Sequence, residues 1–222
     1  MHGGHEVMSM TMSPNSLDDP ETQAKLLADK RESEFNHHFA GLLVLLAGMF
    51  ILAETDLTPR WRYLRFSWPA TFLISGLFLL IWSDTELWPF GPQSWLSTIA
   101  TNREVFQHKT YAVILLVLGI IELQRTRGSL RAAWASWVFP VVAIGGSVLL
   151  LFHMHQGGMH GSHHTELMAR IQSEHLSYSV AGISIGLTKA LSETRSTLQD
   201  FFRRLWPALM MVLGALLMMY LE

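Results

Sequence analysis

Five histidines and two methionines crowd into LFHMHQGGMHGSHHTE, Leu151–Glu166. Neutral imidazole is the commonest side-chain ligand for transition metals, and thioether sulfur selects Cu(I). The amino-terminal stretch repeats that chemistry with Met1, His2, His5, Met8, Met10 and Met12. Cysteine is absent from the 222 residues, which excludes thiolate zinc sites and dithiol redox chemistry. A transition metal must then be held by imidazole, thioether or carboxylate. Mixed His and Met without Cys points to copper before zinc.

The elements that must position these ligands follow from composition. Half of the residues are hydrophobic and 15% are charged, against about 25% charged in an ordinary soluble domain. Such a chain has too little polar surface to cover a globule, and the expectation is a polytopic membrane protein. Net charge is −2 and no basic block suggests nucleic acid. The amino terminus has neither the basic nor the apolar region of a signal peptide.

Six apolar runs approach the ~20 residues a bilayer requires: about 36–54, 67–83, 106–123, 134–152, 174–191 and 205–221. The fifth is the weakest, being rich in Ser and Gly. Backbone groups in lipid must be satisfied within a segment, so the spans are helices and the fold class is all-α, a six-helix transmembrane bundle. Arginines cluster after spans one (Arg60, Arg62, Arg65), three (Arg125, Arg127, Arg131) and five (Arg195, Arg203, Arg204). The positive-inside rule places those loops in the cytoplasm and both termini outside. Residues 1–34 form an external His/Met-bearing tail with a short helix, Asp19 its N-cap and Pro20 its first residue; residues 35–222 form the membrane domain. The eight tryptophans fall at or beside span ends and read as interfacial anchors. Glu54, Glu122 and Lys189, at the cytoplasmic margins of spans one, three and five, read as packing or orientation residues.

With this orientation all eleven histidines lie on the outer side. His37 and His38 begin span one, His108 span three and His175 span five; His153 and His155 close span four. These six are the candidate metal ligands. Met154, Met159, His160, His163 and His164 of the loop, with His2 and His5 of the tail, are auxiliary capture groups. His37, His108 and His175 each precede a glycine by eleven residues (Gly48, Gly119, Gly186), and two of them continue His-x-x-Tyr with Tyr111 and Tyr178. The intervals of 71 and 67 residues between these histidines suggest a repeated helical hairpin.

HHFAGLLVLLAG, FQHKTYAVILLVLG and EHLSYSVAGISIGLTKALSE, with the His/Met-rich external segments, resemble the copper-resistance D type of bacterial inner-membrane protein over roughly residues 35–222. The resemblance implies a multi-pass bundle of the inner membrane handling copper at the periplasmic face, in transfer or uptake. A periplasmic copper chaperone or redox enzyme, and a further copy of the chain, are the partners expected besides the lipid bilayer. Paired histidines on packed helices are also axial haem ligands, so a b-type cytochrome is the alternative, with haem b as cofactor. A third reading is a structural subunit docking a periplasmic redox enzyme. Hydrolytic catalysis is disfavoured, because HExxH, GxSxG and P-loop motifs are all missing.

Overall fold

The computed structural model describes residues 19–57, 63–152, 162–194 and 196–221; in 55–57 and 162–168 it describes the backbone alone. Seven α-helices account for nearly all of it: α1 Pro20–Leu57, α2 Ser67–Ile81, α3 Trp95–Thr101, α4 Arg103–Arg127, α5 Ala135–Leu150, α6 Ser162–Glu193 and α7 Gln199–Met218. Among the described residues there is no β-strand, only an isolated bridge between Leu87 and Gln93. Among the described residues, four stretches are long and apolar enough to cross a membrane: Pro20–Glu54, Leu64–Ile81, Arg103–Arg127 and Gln199–Met218. Helix α5 is apolar but shorter. Helix α6 carries the Ser- and Gly-rich fifth run and is not among the four.

Local signals set the helix ends. Asp19 accepts the Thr22 N–H at 3.2 Å, capping α1, which continues without a break through the first apolar run. The expected tail helix and first span are therefore one 38-residue helix. Asn102 accepts the Glu104 and Val105 N–H groups at the start of α4, and Gly128, at φ 75°, ends it in the left-handed region that glycine enters without steric penalty. That cap fixes where His108 falls on α4. The short α3, in the connection between the second and third apolar runs, was not expected; Ser94 caps it.

The six long helices close into a ring, each packed on two neighbours in the order α1, α2, α4, α5, α6, α7 and back to α1. The α1–α7, α2–α4, α5–α6 and α6–α7 contacts are extensive, and α4–α5 is the slightest. The core is built from all six: Ala47 and Ile51, Trp68 and Phe72, Leu118, Phe139, Ile185, and Trp206 and Met210. Four aromatic rings form a closed circuit within it, with centroids 6.3 Å apart for Trp68–Trp206, 5.2 Å for Trp206–Phe139, 5.8 Å for Phe139–Phe72 and 6.0 Å for Phe72–Trp68. Edge-to-face pairs at such distances add about 0.5–1.5 kcal/mol each beyond burial. Trp68 and Trp206 are thus core residues, 8% and 5% exposed, rather than interfacial anchors. Trp82, Trp88, Trp134 and Trp137 are exposed as the anchoring reading expects.

The helical-hairpin repeat is visible in the packing. Trp68-Pro69, Phe139-Pro140 and Trp206-Pro207 recur at the same intervals, 71 and 67 residues, as the three histidines. All three prolines are fully buried. Each repeat glycine lies on the turn following one of them. A Cβ on Gly48 would stand 3.1 Å from the Met211 nitrogen, on Gly119 3.1 Å from that of Leu73, and on Gly186 3.2 Å from that of Ile144. Each of those nitrogens belongs to the residue four beyond a repeat proline. A side chain at any of the three would collide with backbone, so glycine is what lets the paired helices approach. The pairs are α4 on α2, α6 on α5, and α1 on α7.

Candidate functional site at the histidine end

One end of the bundle carries the histidines, and the repeat places three of them at equivalent depth. His37 lies on α1, His108 on α4 and His175 on α6. Their Nδ1 atoms are all engaged: His37 with the Ser33 carbonyl at 2.8 Å, His175 with the Ile171 carbonyl at 2.8 Å, and His108 with Asp84 Oδ1 at 2.9 Å. Oxygen acceptors require a proton on Nδ1, so the neutral ring carries its lone pair on Nε2. Metal-ligating imidazoles are held in this way, the second nitrogen donating to a carbonyl or carboxylate that fixes tautomer and ring orientation.

His37 and His175 meet. Their ring centroids are 6.3 Å apart with planes at 80°, although α1 and α6 are separated in the ring of helices by α7. With metal–imidazole bonds of about 2.0–2.1 Å, two rings on one ion have centroids roughly 6 Å apart. His175 is 4% exposed. Tyr220, at the end of α7, is fully buried and stacks on His37 with centroids 3.9 Å apart. Tyr178 packs edge-on to His175 at 5.9 Å. His38 points elsewhere: its Nε2 donates to the Tyr220 carbonyl at 2.9 Å.

His108 occupies a separate, charged corner. Asp84 also accepts from Lys109 Nζ at 2.6 Å and from Ser83 Oγ at 2.6 Å, and Lys109 donates to the Leu79 carbonyl at 3.0 Å. Burial would raise the Asp84 carboxyl. The hydrogen bond and charge of His108, with Lys109 and Ser83, outweigh it and bring the group down to about 2. The corner ties the α2 end to the start of α4.

Among the described residues no three His, Asp or Glu side chains stand close enough to hold a metal ion by themselves. The structure brings together His37 and His175, sets His38 on the Tyr220 carbonyl just past α7, and sets His108 on Asp84. His153, His155, Met154, Met159, His160, His2 and His5 lie outside the described residues. His163 and His164 begin α6, and their side chains are not described. The two tyrosines of His-x-x-Tyr are inter-helix ties: Tyr111 donates to the Gly146 carbonyl at 2.9 Å and Tyr178 to that of Leu216 at 3.5 Å. Tyr220 escaped the sequence reading, because nothing in LLMMYLE distinguishes it from an interfacial tyrosine.

The opposite, arginine end holds the charged residues expected there. Glu122, 2% exposed, takes both its oxygens to Arg125 Nη1 at 2.9 and 2.8 Å. Arg125 also reaches Glu193 at 3.7 Å, and Glu193 pairs with Lys189, whose ammonium sits 4.9 Å over the Trp206 ring. These groups lock α4, α6 and α7 together beneath the aromatic circuit, which accords with a packing role. Comparison with protein-family models, curated proteins and solved structures yields no match.

Proposed function

We propose that the chain is a six-span inner-membrane protein, both termini periplasmic, that binds copper at its periplasmic face through His37 and His175. The observation that carries this reading is the meeting of those two rings, 6.3 Å apart at their centroids, each with Nδ1 tied to its own helix backbone. Two imidazoles fit the donor chemistry of Cu(I) and Cu(II). His153 or His155 would complete the coordination. Met154, Met159, His160, His163, His164, His2 and His5 would collect the ion and hand it on. The one-sided placement of His and Met in the sequence, and the resemblance to copper-resistance D type proteins, support a role in copper transfer or uptake. His108 would then serve the Asp84 corner rather than the ion.

The test is copper content and affinity of the purified chain in detergent, beside His37→Ala and His175→Ala. The expected result is one tightly bound copper in the parent and at least a tenfold weaker site in either variant. Equal binding by all three proteins rejects the proposal. Bis-imidazole haem shares the centroid distance, so an absorption spectrum of the same preparation is part of the experiment: a Soret band replaces copper by haem b. The burial of Tyr220 and His175 favours the ion, which enters with less displacement of packed rings than a macrocycle.

A further inference from the structure

Adjacent histidines on a helix point about 100° apart, so His37 and His38 cannot serve one point alike. Their contacts show how they divide. His37 presents its ring to His175 and is covered on one face by Tyr220. His38 reaches past it to donate to the carbonyl of that same Tyr220. Tyr220 lies beyond the last turn of α7, where carbonyl groups have run out of intrahelical donors; its own amide makes a long bond of 3.3 Å to the Leu217 carbonyl. The His38 bond thus fixes the backbone of a residue that is itself fully buried. The Ser33 bond fixes where His37 Nδ1 lies, and the stacked phenol ring fixes the plane through it.

We infer that Tyr220 is a positioning residue that sets the ring plane of His37 in the copper site, and that His38 acts through Tyr220 instead of ligating the ion. This rests on the copper reading above. Groups that orient a metal ligand typically change affinity by about 10- to 100-fold when removed, and a ring plane held within roughly 10–20° is what a preorganised site needs. Histidine is thus used twice in succession, once for its lone pair and once for its N–H.

The experiment uses the purified full chain with Cu(II) added, comparing affinity by chelator competition with the copper hyperfine splitting by electron paramagnetic resonance. Tyr220→Phe keeps the stack and should stay within about twofold of the parent. Tyr220→Leu and His38→Ala should each weaken copper about tenfold and give the same altered hyperfine pattern. The double variant should be no worse than either single one, because the two residues act as one unit. His38→Gln, which can still donate to the carbonyl, should restore the parent spectrum. His37→Ala should lose the site. Parent-like affinity and spectrum in both Tyr220→Leu and His38→Ala, with copper lost in His37→Ala, overturn this inference and leave the copper reading intact. Copper retained by His37→Ala overturns both. Should Tyr220→Leu fail to fold, the pair His38→Ala and His38→Gln decides by the same spectra.

Discussion

The two ends of the bundle solve different problems with the same repeat. At the arginine end, three buried prolines, three glycines without room for a Cβ and a circuit of four aromatic rings pack all six long helices into one core. At the histidine end the equivalent positions have diverged. One histidine sits on a carboxylate, one under a phenol ring, and one faces its counterpart across the bundle. Repetition is kept at the proline–glycine contacts where helices touch and abandoned among the histidine-end side chains. Without a hydrophobic drive between helices in lipid, close approach and dispersion must supply the cohesion; they do so at the proline–glycine contacts, and again between Gly41 and Gly214 nearer the histidine end.

The contrast can be tested from its strongest element downward. Gly48→Val places side-chain atoms where even a Cβ would be 2.6 Å from the Pro207 carbonyl oxygen, so α1 should no longer seat on α7. Loss of a monodisperse peak in size-exclusion chromatography is expected; a well-behaved variant breaks the account of the repeat glycines. Trp206→Ala opens the aromatic circuit and removes the ring beneath Lys189. A loss of about 3–5 kcal/mol in reversible denaturant unfolding is expected.

Asp84→Asn, at the other end, leaves Lys109 buried with its charge partner gone, a change worth roughly 3 kcal/mol. Its pH signature separates it from a packing effect. The carboxyl is lowered from 3.8 to about 2, so the folded state favours the ionised form. The stabilisation is present in full above about pH 4 and is lost as pH falls through about 2. Acid unfolding of the parent should show that loss and the variant should not; parallel curves would remove Asp84 from the account. The smallest effect is expected at Gly145, where an added Cβ meets nothing within 4 Å. Gly145→Ala should be neutral or stabilising by up to about 1 kcal/mol in the same unfolding assay, although Gly145 stands in an apolar helix like the intolerant glycines.

Much of this architecture is legible in the residues because its signals are local. Apolar runs, the Asp19 cap and the charge of the connections all act within a few residues. The His–Gly spacing shows the repeat faintly. The aromatic–proline pairs at 68–69, 139–140 and 206–207 show it better, and are missed when tryptophan is read only as an interfacial residue. The site was partly readable. The residues alone set His37, His38, His108, His153, His155 and His175 at one level without distinguishing among them; that His37 and His175 meet is seen only in the structure, and the placing of His108 depends on Asp84, a loop residue with no periodic signal. The split between His37 and His38 depends on Tyr220, 182 positions away from His38 in the chain. Nothing in a doublet of histidines tells which one will turn toward a distant carbonyl.

The ring order also bears on how the molecule is assembled. Helix α1 takes as its glycine-on-proline partner α7, the helix farthest from it along the described chain. The other two such pairings join long helices that follow one another in the chain, with only the short α3 between α2 and α4. During synthesis α1 therefore lacks that partner until α7 has followed it, and joining these two helices completes the circle. A circular permutant opened between α4 and α5, where contact is slightest, would make α1 and α7 consecutive and spare the chain that delay.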